Sequence, residues 1–181
     1  MLLIIQRLME LKRSKRNETK LLAAGGREHG ARQLILMKAI HGAWFASMVA
    51  EVFLLERPMI PAVTVAAAVG VVSGQLLRYA AIRQLGWRWS VRVITVPGAP
   101  VVDGGVFRYL RHPNYLGVIL EIACVPLLHS AVLTTLGFSI ANAALLLVRI
   151  RTEERALRLD NDYDRSFGRR RRLIPGRPAR T

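Results

Sequence analysis

Three long apolar tracts divide the chain: residues 34–55, interrupted by Lys38, His41 and Glu51; residues 59–77, free of charge; and residues 115–148, whose only charge is Glu121. Each of the first two approaches the roughly 20 residues that a spanning helix needs. The third is too long for one span and too short for two full ones, and Pro126 with His129-Ser130 interrupts it near the middle. It predicts a tight helical hairpin with a short first arm. A further apolar stretch, Met1 to Leu11, precedes the basic run Lys12–Arg16. A signal peptide has the reverse order, with its charges first. At about eleven residues the stretch is too short to span, so it is expected to lie partly in the membrane interface or to belong to a longer start.

Between these tracts the pattern predicts an N-terminal helix to about Ala24, a break at Gly25-Gly26, and spans near 32–55 and 59–83. An irregular segment follows, Gly86 to Gly105, with Trp87, Trp89, Pro97, Gly98, Pro100 and β-branched residues. It reads as a cytoplasmic loop or short strand-like stretch with its tryptophans at headgroup level. The last helix is expected from about Ala131 to Tyr163, leaving the bilayer after Val148 and turning polar on all sides, with Gly168 and Pro175-Gly176 as terminators. Ala66, Gly70 and Gly74 place small residues on one face of the second span, the usual device for close helix packing. The lone Cys124 has no metal-ligand spacing around it and reads as a packing residue. The expectation is an all-α integral membrane bundle of four to five membrane helices with a C-terminal hairpin. It forms one domain over residues 1–181, in which 1–30 supply the N-terminal helix and basic segment.

Charge fixes an orientation. The net charge of +15 raises the possibility of nucleic-acid binding, but the 27 Lys and Arg are distributed by topology. Seven lie in 12–32, six in 78–111 and eleven in 149–180, leaving only Arg7, Lys38 and Arg57 elsewhere. All three basic segments fall on one side if every apolar tract crosses or re-enters, and the positive-inside rule makes that side cytoplasmic. No nucleic-acid partner is expected. Membrane lipids are expected around the apolar tracts and anionic headgroups or solvent around Arg169–Arg172.

The candidate chemistry sits at that edge. Arg108-Tyr-Leu-Arg-His-Pro-Asn-Tyr-Leu-Gly117 precedes the hairpin, and Arg149-Ile-Arg-Thr-Glu-Glu154 follows it. Pro113 is explained as a first-turn helix proline. Arg108, Arg111, His112 and Tyr115 are not, and ionisable groups at membrane depth are functional candidates. Arg149 and Glu153 share a helix face at i, i+4, with Glu154 about 100° away. An antiparallel hairpin would return them to His112 and Tyr115, making one pocket. None of the four histidines has metal-cluster spacing, and no glycine-rich nucleotide fingerprint occurs.

The string Gly105–Gly117, the hairpin, Arg149 with Glu153-Glu154 and the terminal Arg-Arg-Leu-Ile-Pro resemble the isoprenylcysteine carboxyl methyltransferase family, within the wider group that includes phospholipid N-methyltransferases. The resemblance covers residues 75–176, the candidate catalytic region, with a weaker likeness to bacterial members through Arg16-Asn17-Glu18. It implies S-adenosylmethionine as methyl donor on the cytoplasmic side and a lipophilic acceptor entering from the bilayer. Carried over by motif, His112, Pro113, Asn114 and Tyr115 would line the donor and Glu153 would hold it. Ala99, Pro100, Val101, Val102 and Phe107 would form its loop-side wall, and Arg149 would face the acceptor. Where the eukaryotic enzymes are expected to have Tyr this chain has Phe107, and the segment from Glu154 to Tyr163 is shorter than theirs. A carboxylate acceptor needs no general base, whereas a phenol needs its pKa lowered or a base, for which Glu154 or His112 is available.

With 23 Arg to 4 Lys the composition points to a GC-rich, bacterial genome, and so to a bacterial cell membrane. The favoured acceptor is a small lipophilic molecule such as an alkyl-phenol, alkylpyrone or prenylated compound. The alternatives are a phospholipid amine, or a lipid-binding protein of the same fold without methyl-transfer activity.

Overall fold

The computed structural model describes residues 2–168 and 170–175. Met1, Arg169, Gly176 and the final arginines Arg177 and Arg180 lie outside the described residues. Among the described residues six α-helices are present: α1 Leu2–Ala23, α2 Ala31–Leu54, α3 Pro61–Leu85, α4 Pro113–Leu127, α5 Val132–Asp160 and α6 Tyr163–Phe167. α2, α3 and α5 are long and apolar enough to cross a membrane, and α4 is a shorter apolar helix. Side chains such as Phe53, Val65, Val69, Leu136 and Ile140 face outward and exposed, an arrangement that suits lipid rather than water. The bundle is thus the expected all-helical membrane fold.

α4 and α5 form the hairpin. Pro126 lies in the last turn of α4, and the chain reverses through Ser130, which takes φ 56°. The start of α5 has no cap of its own. Glu51, buried on α2, supplies it by accepting from the backbone N–H groups of Leu133 at 3.0 Å and Thr134 at 2.7 Å, which satisfies donors that a helix start leaves free. With 15 residues, α4 rises only about 22 Å against the roughly 30 Å hydrocarbon core.

α3 and α4 pack through the small-residue stripe. A Cβ on Gly117 would meet the backbone oxygen of Gly74 at 2.7 Å, and one on Gly70 would collide with Cys124 Sγ. Such approach is open only to glycine, and Cys124 is the residue packed against it.

α1 is not a separate span. It runs parallel to the end of α3 with an almost constant offset, through Gln6–Gln75, Glu10–Arg78, Arg13–Ile82 and Asn17–Gly86. Its inward face is its polar face, while Ile5 and Met9 are exposed. Gly25, at φ 80°, ends it.

Two elements differ from expectation. The Gly86–Gly105 segment is held by a two-stranded antiparallel ribbon, with β1 Arg27–His29 and β2 Val93–Thr95 in register Arg27↔Thr95 and His29↔Val93. The strand-like half was readable from its β-branched residues; its partner, three polar residues after a glycine turn, was not. The end of α5 is also not polar on all sides, since Arg149, Ile150, Glu154 and Ala156 are buried. The loop before α4 and the C-terminal segment wrap it. β2 is tied to it by Thr95, whose hydroxyl bonds Asp160, and by Gly98 N–H donating to the Asp160 carbonyl at 2.8 Å.

Candidate functional site

Helix geometry brings the two halves of the motif together. Pro113 starts α4 as a first-turn proline, and Tyr115 on that turn faces α5. Arg149 Nε donates to the Tyr115 hydroxyl at 3.0 Å, and that hydroxyl donates to Glu153 Oε2. Arg149 and Glu153 are thus bridged by the phenol. The guanidinium lies 5.8 Å from the Tyr115 ring centroid, and its Nη2 donates to the Val91 carbonyl. His112 stacks near Tyr115, ring centroids 5.4 Å apart.

These residues line a cavity of about 750 Å³. Its polar end is walled by Ala99, Pro100, Val101, Val102, Phe107, Arg111, His112, Pro113, Asn114, Tyr115, Arg149 and Glu153, and also by Leu157, Asn161, Tyr163 and Phe167. The cavity is also walled by apolar side chains of four helices, among them Leu8, Met37, Phe45, Ile122 and Leu145, with His41, Asn142 and several charged side chains between them.

Glu154 stands apart from the other candidate residues. It does not line the cavity and is 1% exposed. Its carboxylate accepts from Arg172 through Nε at 2.9 Å and Nη2 at 2.7 Å, and lies 3.2 Å from His112 Nε2. Arg111 and Arg158 stand at 3.6 Å. A carboxylate so surrounded is neither exposed to a substrate nor free to take its proton. The base role offered for it from the sequence does not fit this position. It holds the His112 ring and the C-terminal segment, whose backbone also pairs with Arg111 and His112 through the carbonyls of Arg171 and Arg172, each at 3.1 Å. Arg172 is thus committed within the protein, and so is Arg170. Arg170 donates to the carbonyls of Asp103 at 3.0 Å and Phe107 at 2.9 Å, while Arg108 is exposed and away from the cavity.

Three groups of cavity residues carried no sequence signal strong enough to be chosen. Asn161 donates to the carbonyls of Val96 at 2.9 Å and Ala99 at 2.7 Å, while its Oδ1 is buried with no partner. Tyr163 packs with Phe107 and Phe167, and its hydroxyl is likewise buried and unpartnered. Burial, then the Glu154 and Glu153 carboxylates, push its phenol up, so it remains a neutral donor. The third group is a charged network beside Asn114. Arg78 pairs with Glu10 at 2.5 Å and Glu121 at 3.2 Å, Arg7 pairs with both carboxylates, and Arg78 donates to Asn114 Oδ1 at 3.2 Å.

Fold and site together define a membrane protein with a mainly apolar cavity whose wall carries a cluster of hydrogen-bonding side chains. A model of the isoprenylcysteine carboxyl methyltransferase (ICMT) family matches residues 63–159. A Bacillus subtilis (strain 168) protein, named as uncharacterized protein YpbQ, is 40% identical over 157 residues, covering 86% of this chain and 92% of the relative. An uncharacterized Haemophilus influenzae protein is 28% identical over 152 residues, covering 83% and 88%. The chain belongs to the isoprenylcysteine carboxyl methyltransferase family.

Proposed function

We propose that this protein transfers a methyl group from S-adenosylmethionine, held at the polar end of the cavity, to an anionic oxygen of a lipophilic acceptor that reaches Arg149 from the bilayer. The observation that carries the reading is a cavity lined both by the hydrogen-bonding cluster of His112, Asn114, Tyr115, Arg149 and Glu153 and by apolar side chains of four helices. The segregation of basic segments to the polar end supports a cytoplasmic donor site in a bacterial cell membrane.

The residues present suit such a donor. Asn161 Oδ1 and the Tyr163 hydroxyl are buried without partners on the wall formed by Ala99 to Val102 and Phe107, and buried polar groups left open are the mark of a missing polar ligand. Tyr163 offers beside Phe107 the hydroxyl that Phe107 lacks. Glu153, 29% exposed at its side chain, carries the negative charge that a sulfonium or ammonium group requires. When bound, S-adenosylmethionine supplies an electrophilic methyl group on a sulfonium.

His112, Asn114 and Tyr115 orient that end of the cavity, and Glu154 with Arg172 fixes His112. Arg149 binds the acceptor oxygen and keeps it deprotonated, since a guanidinium cannot give up its proton and favours an adjacent anion. Positioning the two reactants in line supplies much of the rate. With Glu154 enclosed and His112 Nε2 engaged by it, an acidic acceptor, a carboxylate or an acidic phenol or enol of the alkylpyrone kind, is favoured over one that needs a general base. A phospholipid amine would meet a cation at Arg149 and is disfavoured.

The test is to incubate membranes carrying the protein with methyl-labelled S-adenosylmethionine, extract the lipids and weigh the labelled species. His112→Ala and Glu153→Ala are expected to lose labelling through weaker donor binding by calorimetry, and Arg149→Ala through the acceptor. Equal donor affinity in all three variants would contradict the assignment. No saturable donor heat from folded protein would favour a lipid-binding role without methyl transfer.

A further inference from the structure

Deeper than Arg149, the same cavity holds polar side chains for which methyl transfer has no use. Asn142 precedes Arg149 by seven residues on α5, which places it on the same helix face about 10 Å further into the bundle. It is 1% exposed, lines the cavity, and its Oδ1 has no hydrogen-bond partner. Its helix neighbours Leu145 and Leu146 on that wall are apolar. An unpaired amide among them is costly unless something in the cavity completes it.

A second polar group lies at the same depth on the opposite helix. The antiparallel register of α2 and α5 is set by Gln33–Thr152 at 2.8 Å and Ser47–Thr134 at 3.0 Å. Midway between these contacts His41 comes level with Asn142. His41 lines the cavity, and its Nδ1 lies 2.8 Å from the Met37 carbonyl. A carbonyl can only accept, so Nδ1 carries the proton and Nε2 of the neutral ring is left as an acceptor. Trp44, one turn further along α2, has its N–H already committed to the Ile122 carbonyl at 3.2 Å. The charged side chains on the neighbouring wall, Arg7, Glu10, Arg78 and Glu121, are paired with one another. Lys38, also on the cavity wall, is exposed and lies about one turn nearer Arg149, so what Asn142 and His41 themselves leave open is neutral hydrogen-bonding capacity.

We infer that Asn142 and His41 form a second acceptor subsite, which binds a hydroxyl group carried on the hydrophobic body of the acceptor about two helical turns from the oxygen at Arg149. A hydroxyl donates to Asn142 Oδ1 or His41 Nε2 and accepts from the Asn142 amide, so it fits whichever way the amide is turned. A plain alkyl or prenyl tail leaves Asn142 buried and unpaired. The acceptor class is thereby narrowed to lipids with an acidic oxygen at one end and a hydroxyl within the chain. This inference rests on the acceptor site proposed above.

The experiment compares two probes by calorimetry on the protein in lipid nanodiscs: stearic acid, and stearic acid hydroxylated on its tenth carbon. The hydroxylated probe is expected to bind about tenfold tighter or more, the effect of one hydrogen bond to an otherwise unpaired buried group. Asn142→Leu should bring the ratio within about twofold by weakening the hydroxylated probe alone. His41→Phe, which leaves Asn142 intact, provides the same comparison if Asn142→Leu fails to fold, and should lower the ratio in the same way. Equal affinities in the unaltered protein, no binding of the hydroxylated probe, or a preference that survives substitution would each overturn the inference. Titration of S-adenosylmethionine into the same samples separates the two readings. Donor binding without probe discrimination removes only the subsite. Discrimination without donor binding removes the methyl-transfer reading and leaves the subsite standing.

Discussion

Two buried polar assemblies flank Asn114, and they are built on opposite principles. In the network of Arg7, Glu10, Arg78 and Glu121, each charge meets two partners of opposite sign. In the cluster of His112, Tyr115, Arg149 and Glu153, the opposite charges are kept apart by a neutral hydroxyl. Close by, Asn161 Oδ1 and the Tyr163 hydroxyl are left open. The first assembly neutralises itself and joins α1 to α3 and α4. The second holds hydrogen-bonding capacity for something else. Buried charge alone does not distinguish a site from a brace; uncommitted polar atoms beside a cavity do.

Substitutions on the two sides should therefore fail in different ways. Arg78→Ala leaves Arg7 alone against two buried carboxylates, one negative charge uncompensated, and is expected to cost about 3 kcal/mol of stability. Thermal unfolding in detergent measures this, and a native unfolding temperature would remove the bracing role. Glu153→Ala should leave unfolding nearly unchanged but weaken S-adenosylmethionine binding about 100-fold, the scale of a lost charge-assisted contact. A large stability loss with normal donor affinity would move Glu153 to the bracing class. Glu154→Gln breaks the clamp on Arg172 and His112, for an expected loss of about 1–3 kcal/mol. Because Glu154 does not reach the cavity, the shape of the pH–rate profile should persist; a lost limb would restore it as a base. Smallest, Tyr163→Phe is expected to weaken donor binding about three- to tenfold with unfolding unaltered, and an unchanged calorimetric affinity would take Tyr163 out of the donor wall.

Much of the second assembly could be read along the chain because its halves are contiguous strings at the two ends of one hairpin. An antiparallel turn is enough to bring His112 and Tyr115 to Arg149 and Glu153. The first assembly could not, since its members lie on α1, α3 and α4 and only packing unites them. One signal was available: Gln6, Glu10, Arg13 and Asn17 recur at helical spacing, so the polar stripe of α1 was visible. It reads as a solvated face unless the neighbouring helix is known to present Arg78. Asn161 and Tyr163 were hidden for a related reason. They follow a helix stop in a charged tail, and only the loop 96–107 folding back on them makes them a wall.

The tracts of hydrophobic residues by themselves determined that this chain is a helical membrane bundle ending in a short-armed hairpin, because lipid admits no other use for runs of that length. The motif strings determined which residues share the hairpin's polar end. Tertiary structure alone decided that α1 lies against α3 through its polar face, that Glu51 caps a helix it is far from in sequence, and that Glu154 is enclosed while Asn142 is left open. The physical reason is common to all three. Periodicity reports which side chains share a face, but whether a buried polar group is satisfied depends on what the facing helix supplies.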